Sequence, residues 1–225
     1  PDSVKSIGIG KEAFIYCTSL TSVYILGNVT NLNDTVFQYC NKLKNLYLSR
    51  DMLTTLNIEE GNNKDVLGLT GVTISLIITN VVEYDKNTET VTFKNNLPNA
   101  VLKNDLIKSN IENNPDVKEI VIDGYKRIEE NAFKDVEITD VKITIPDTLI
   151  YIGESAFENC KFKESTMSFQ SDLEYIGPYA FKNCKNIETI NCNIPKLPPM
   201  EMFQIATSIF EGVNIKNVNV KNISS

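Results

Sequence analysis

Apolar residues recur along this chain on two length scales. On the short scale they alternate with polar ones: LTSVYI (20–25), LKNLYL (43–48), VKEIVI (117–122), IETINC (187–192) and IKNVNV (215–220) each end apolar–polar–apolar, and TDVKITI (139–145) is a looser copy. A period of two predicts short strands with one inward face. On the long scale the pattern itself returns. Phe14 and Phe37, Cys17 and Cys40, Leu20 and Leu43, Val23 and Leu46, and Ile25 and Leu48 each stand 23 residues apart. Phe133, Phe157 and Phe181, with Cys160 and Cys184, repeat at 24. Ile128, Ile152 and Ile176 lie five residues before their Phe, as Leu32 lies before Phe37 and Ile205 before Phe210. Ala13, Ala132, Ala156 and Ala180 immediately precede a Phe, with Val36 and Ile209 as the exceptions. The unit reads Ile-Gly-x-x-Ala-Phe-x-x-Cys, then Leu-x-x-Leu-x-Ile.

One such unit cannot bury its own apolar face, whereas stacked units share a continuous core. The expected fold is therefore an α/β repeat solenoid, with short parallel strands stacked into one sheet. The stretch from Ile-Gly to Phe is too short for a regular helix and predicts a turn or short helical return that drops its Phe inward, each burial contributing about 1.5–3 kcal/mol. Gly8, Gly153 and Gly177 are expected to permit a turn conformation closed to residues with a Cβ. The period holds over 1–58 and 115–225 and breaks over 59–114. There, EEGNNKD (59–65) predicts a loop. VTISLIITNVVEY (72–84) and TETVTFK (88–94), separated by DKN, predict a hairpin over about 72–94. Pro98 at a helix N1 position and Pro115 bracket a helix over about 99–113, placed to shield the open end of the second block. Residues 59–114 read either as a stretch inserted in one solenoid or as the boundary between two repeat blocks.

IGESAFENC (152–160) and IGPYAFKNC (176–184) resemble the leucine-rich repeats of the BspA-like family, as do KEAFIYCTSLTSVYI (11–25) and IPDTLIYIGESAF (145–157). The resemblance covers about residues 1–58 and 115–225. It implies a surface or secreted protein, extracellular or on the cell, associated with adhesion to host proteins or other cells. PDSVKSIG (1–8) aligns without gaps to PDTLIYIG (146–153), so residue 1 is expected to begin inside a repeat, with further repeats upstream.

Composition narrows the function classes. Lys and Arg number 22 against 29 Asp and Glu in 225 residues, a net charge of −7, which disfavours nucleic acid and anionic membrane as partners. No apolar run reaches the length of a membrane span, so no membrane insertion is expected. Histidine is absent, which removes Ser-His-Asp and Cys-His catalysis and histidine-ligated zinc. Cys17, Cys40, Cys160 and Cys184 share one repeat position, taken by Val136 and Val213 in other copies; a slot that accepts Cys or Val is a small apolar slot. Cys192 ends a strand. The cysteine spacing fits no metal or redox motif, and parallel side-chain vectors oppose a Cys17–Cys40 disulfide. There is no EF-hand and no phosphate-binding glycine loop. Asn28, Asn33 and Asn222 open N-glycosylation patterns, expected by chance in an Asn-rich chain. No cofactor and no metal are expected, and no catalytic residue is assigned.

The exposed strand positions carry the functional expectation. In Leu-x-x-Leu-x-Ile the residue between the last two apolar ones points outward. Down the stack that gives Tyr24, Tyr47, Val121, Lys142, Asn191 and Asn219, with a second column of Ser22, Asn45, Glu119, Asp140, Thr189 and Asn217. Parallel stacking turns each column into a nearly flat stripe of the kind solenoids use for extended binding. Tyr24 and Tyr47 should lie side by side, either as a binding hot spot or as strand residues stacking on each other. Together with the resemblance, this implies a non-catalytic surface or secreted adhesion module that binds a host or cell-surface protein or glycan through the strand face. The alternative is a structural spacer without a ligand of its own.

Overall fold

The computed structural model describes residues 7–8, 12–26, 29–30, 32–33, 35–134, 136, 138–164, 166–169, 173–192 and 208–220. Ile205, residues 1–6 of the segment aligned with 146–153, and the glycosylation-pattern residues Asn28 and Asn222 lie outside them. The chain divides into two compact units, 1–77 and 78–225.

The first unit contains β1 (Ile7–Gly8), β2 (Ser22–Ile25), β3 (Val29–Thr30), β4 (Asn45–Leu48), α1 (Arg50–Leu56), β5 (Gly61–Val66) and β6 (Leu69–Leu76). Strands β2, β4 and β6 pair in parallel, in the register Val23↔Leu46↔Ile74 and Tyr24↔Tyr47↔Ser75. Antiparallel β5 closes the far edge of β6. The inward side chains Leu46, Leu48 and Ile74 are buried with Phe37, Cys40 and Leu43. Val72–Leu76 is thus a third copy of the strand, which the pattern had assigned to the predicted hairpin. The strand expected over 72–84 is instead two: β6 and a separate β7 (Val81–Asp85), with Asn80 between them in the left-handed region at φ 50°.

The second unit continues with β8 (Thr90–Lys94), β9 (Val101–Leu102), α2 (Asn104–Glu112), β10 (Glu119–Asp123), β11 (Arg127–Ile128), β12 (Thr139–Thr144), β13 (Tyr151–Ile152), β14 (Lys161–Phe162), β15 (Thr166–Phe169), β16 (Tyr175–Ile176), β17 (Thr189–Cys192) and β18 (Asn217–Val220). Three ladders result, in the order β14-β12-β10-β8-β7, β16-β13-β11-β9 and β15-β17-β18. All their pairings are parallel except β7–β8, whose hairpin turns over 86–89 and ends its ladder with an antiparallel edge, as β5 does in the first unit. Helix α2 starts at Asn104, later than the 99–113 expectation: Pro98 sits in a preceding turn, and Val101–Leu102 pairs with β11 instead of coiling.

The return segments explain the Ala-Phe signature. Phe133, Phe157 and Phe181 are fully buried, and their rings stack at 4.8 and 5.1 Å, with Phe210 next at 5.4 Å. Their backbones form a second ladder at right angles to the chain. The N–H of Phe133 donates to the Ala156 carbonyl and that of Phe157 to the Ala180 carbonyl, each at 2.7 Å. Residues in the left-handed region recur two before the Phe, at Glu12, Asn131, Ser155 and Tyr179, and two after it, at Tyr16, Tyr39, Asn159 and Asn183. Gly153 and Gly177 are not themselves in that region. They are needed for close approach, because a Cβ on Gly153 would sit 2.4 Å from the Glu130 nitrogen and one on Gly177 2.5 Å from the Glu154 nitrogen.

A parallel ladder leaves the carbonyls of its first coil without donors, which a buried end must supply. Asn104 does this at the start of the second unit: its side-chain amide fans over the carbonyls of Ala132 (2.9 Å), Asn131 (3.2 Å) and Lys134 (3.4 Å). Ile107 and Ile111 of α2 are buried in the same core. Asn104→Ala is expected to lower the stability of the second unit by about 1–3 kcal/mol, chiefly by stranding the carbonyl of the buried Ala132. Urea denaturation measures it, and an unchanged midpoint would remove the capping role.

Candidate functional site

Tyr24 on β2 and Tyr47 on β4 stand at the same outward register position, and their rings stack at 4.2 Å with an interplanar angle of 1°. Both are half-buried. Burial, and then the neighbouring Tyr47, pushes the Tyr24 phenol above its ordinary pKa, so the Tyr24 ring carries a neutral hydroxyl at physiological pH. Ser22 and Asn45 form the second column beside them, with the Asn45 amide donating to the Ser22 hydroxyl at 3.4 Å. These four predicted residues therefore come together on one face of the first unit. The register extends both columns to residues the repeat pattern missed: Asn45↔Thr73 and Tyr47↔Ser75 on β6.

In the second unit the predicted residues fall on two ladders. Glu119 and Val121 of β10 face outward, but their partners on β12 are Lys142 and Thr144. Lys142 thus belongs to the Glu119 column, not the Tyr24 column, and Asp140 is in neither. β12 pairs with β10 two residues along from the expected alignment, Ile120 lying opposite Ile143 and not Val141, while on its other edge, against β14, β12 is irregular at Asp140, which takes φ 58° between Thr139 and Val141. The Asp140 carboxylate instead accepts from Lys161 at 3.0 Å. Lys142 pairs with Glu119 at 2.8 Å, and the Thr144 hydroxyl also donates to that carboxylate; the Lys142 hydrogen bond, then the Thr144 one, hold the Glu119 carboxyl below its usual range. Thr189 and Asn191 lie on β17, in the columns Thr166–Thr189–Asn217 and Ser168–Asn191–Asn219. The Asn219 amide donates to the Asn191 carbonyl oxygen at 2.9 Å and the Asn191 amide to the Ser168 hydroxyl at 3.2 Å, forming an uncharged amide ladder.

Two more aromatic stacks escaped the strand-face reading. Tyr16 and Tyr39 stack at 4.7 Å in the exposed turns, at the left-handed position that Asn159 and Asn183 fill in the second unit. Tyr151 and Tyr175 stack at 4.8 Å, with the Arg127 guanidinium 3.7 Å over the Tyr151 ring. The signal was available: each of these three immediately precedes one of the periodic isoleucines 128, 152 and 176.

The cysteines serve the turns. The thiols of Cys40, Cys160 and Cys184 donate to the carbonyls of Phe14, Phe133 and Phe157 in the preceding coil, at 3.0, 3.8 and 2.9 Å. All three are buried and free, and Cys17 is free and half-buried. Burial pushes the Cys184 thiol up to about 12 and the Cys160 thiol higher still, which suppresses thiolate chemistry at both. The Cys192 side chain lies outside the described residues. Among the described residues no group of three or more carboxylates and cysteines could hold a metal ion, and no helix is long and apolar enough to cross a membrane. A groove beside α1 gathers Arg50, Thr54, Asn57, Glu59 and Glu60, with the Thr54 hydroxyl committed to the Arg50 carbonyl.

Among curated proteins none matches the chain. A leucine-rich cell surface protein from Faecalibacterium prausnitzii A2-165, solved by crystallography, aligns with 19% identity and a TM-score of 0.30. The alignment covers 100% of this chain and 53% of that one, so the chain spans about half the length of that protein. The sequence model of the BspA type leucine-rich repeat region matches residues 1–84 and 105–225 in 6 copies. With its stacked parallel strands and its Phe column, the chain belongs to the BspA-type leucine-rich repeat family.

Proposed function

We propose that the protein is a non-catalytic interaction module of a surface or secreted repeat protein, and that it contacts a host or cell-surface partner through the outward strand face of its first unit. The observation that carries this reading is the Tyr24–Tyr47 stack. Two large amphipathic rings are held parallel on a hydrogen-bonded ladder, so little side-chain freedom is lost on binding. Tyrosines held this way are frequent anchors of interfaces. The family supports a repeat module used for interaction, and the −7 charge sets aside nucleic acid and anionic membrane.

The test is binding to immobilised extracellular matrix proteins by wild type and a Tyr24→Ala/Tyr47→Ala double variant. Saturable binding that weakens at least about tenfold in a folded double variant, a loss of about 1.4 kcal/mol, is the expected result. Equal binding by both would move the contact away from this face. The spacer reading is favoured by the second unit, where Glu119–Lys142 and Lys94–Glu83 ion pairs occupy the outward face with one another. It expects the double variant to change no interaction.

A further inference from the structure

The outward face of the first unit differs in chemistry from that of the β7–β14 ladder. Its six outward positions on β2, β4 and β6 are Ser22, Tyr24, Asn45, Tyr47, Thr73 and Ser75, and none is charged at neutral pH. The equivalent surface of the second unit is laced with Glu83–Lys94 and Glu119–Lys142 pairs. The tyrosine column also stops short. Tyr24 covers one face of the Tyr47 ring, while the next position on the other side is Ser75, whose side chain is too small to cover the opposite face. Adjacent strands lie about 4.7–4.9 Å apart, so the missing ring leaves a slot against Tyr47.

Polar groups surround this slot. The Thr73 hydroxyl donates to the Asn62 side-chain oxygen at 3.1 Å, which keeps the Asn62 amide group on this face. Among the described residues, neither the Ser75 hydroxyl nor the Asn62 amide N–H group has a donor–acceptor partner of its own beyond that bond. At the rim, a Glu60 carboxylate oxygen is already occupied by the Leu76 backbone N–H at 3.0 Å. A flat aromatic face with a hydroxyl below it and an amide beside it fits a ligand that is apolar on one face and rich in hydroxyls at its edge. An anionic guest would find no counter-ion here and would face the Glu60 carboxylate at the rim.

We propose that the first unit carries a site for a neutral pyranose glycan. The sugar's C–H face lies on the Tyr47 ring in the slot over Ser75, and its hydroxyls hydrogen-bond Ser75, Thr73 and Asn62. This rests on the strand-face reading above and names the chemical class of its ligand. Stacking supplies affinity over an apolar surface, and the few placed polar groups supply orientation.

The test is affinity electrophoresis in native gels cast with mannan, galactan, xylan or β-glucan, with heparin as the charged comparison. Retardation by at least one neutral polysaccharide is expected, and it should persist at about 0.5 M sodium chloride because screening weakens only charged contacts. Tyr47→Ala should weaken it at least about tenfold, and Tyr47→Phe should change it less than about threefold, because the ring face is kept. Ser75→Tyr fills the slot by extending the stack; it should abolish retardation while leaving the thermal midpoint at or above that of the wild type. No retardation in any neutral gel, retardation by heparin alone, or equal retardation of wild type, Tyr47→Ala and Ser75→Tyr would each overturn the proposal. If the Tyr24→Ala/Tyr47→Ala variant loses binding to an enzymatically deglycosylated matrix protein while the gels show nothing, the glycan proposal fails and the strand-face reading stands. Loss of neither ends both.

Discussion

Gly153→Ala is expected to destabilise the second unit by about 3 kcal/mol or more, one added methyl acting as an overpacking substitution. Its Cβ would lie 2.4 Å from the Glu130 nitrogen and 2.6 Å from the Glu129 carbonyl carbon, and both are backbone atoms. Neither can swing aside as a side chain would. Glu129 is tied to the preceding coil by its N–H to the Leu102 carbonyl at 3.0 Å, and Gly153 by its N–H to the Ile128 carbonyl at 2.9 Å. The coils must separate by about 1 Å to reach ordinary van der Waals contact, which loosens the Phe stack beside them. Gly71→Ala is the control. Gly71 takes φ +65° but a Cβ there would meet nothing within 4 Å, so only the left-handed strain of about 1 kcal/mol is expected. Urea midpoints of the two variants decide the matter. A Gly153→Ala cost no greater than that of Gly71→Ala would remove close coil approach as the reason for the glycine.

That glycine shows how the sequence can mark a position and still mislead about its cause. Ile-Gly recurs with the period, so the demand for glycine was legible; whether it served φ or proximity was not, because proximity depends on the spacing of coils far apart in sequence. The Phe, Cys and Leu columns were legible because each is filled by one residue type at a constant interval. Copies whose apolar positions drift were not. Val72–Leu76 and Thr90–Lys94 join the ladders as strands with no Ala-Phe-x-x-Cys return leading into them, and Thr166–Phe169, which follows the return ending at Cys160, carries Glu164 where the other copies have their leading Leu, Val or Ile. A local alternation then reads equally well as a hairpin strand. Asp140 illustrates a third limit. β12 pairs with β10 two residues along from the alignment that the repeat pattern suggests, which puts Lys142 beside Glu119 and Thr144 beside Val121 and leaves Asp140 outside both columns. A slip of two residues keeps every side chain on its own face, so a pattern of period two does not reveal it. At the candidate site the Tyr24–Tyr47 contact followed from the 23-residue period alone, whereas Ser75 and Asn62 depend on β6 and β5, which the period does not reach.

Phe157→Ala is expected to cost the second unit about 3–5 kcal/mol, the range for a fully buried aromatic whose cavity cannot collapse. Phe157 is 0% exposed and is the middle ring of its column, 4.8 Å from Phe133, 5.1 Å from Phe181 and 5.9 Å from Phe162 at a tilt of 53°. Truncation removes contacts on both sides at once, and collapse is resisted because the flanking coils are held apart by their own backbone hydrogen bonds. Phe14, which is 39% exposed and stacks on a single neighbour at 5.6 Å, is the comparison: the same substitution there forfeits much less burial. Lys142→Ala, which breaks an exposed pair with Glu119, should cost little. If Phe157→Ala and Lys142→Ala proved similarly mild, the Phe column would not be the core of the stack. The form of the transition carries a second result. In a stacked array, stability is a sum of coil and neighbour-interface contributions. A loss at the central coil that lowers the urea midpoint without changing the slope means that the interfaces still unfold as one body. A transition that splits means that the Phe157 interfaces are what couple the Phe133 coil to the Phe181 coil. Continuity of the outward ladders depends on that coupling, because the strands pair across coils that the Phe column holds in register.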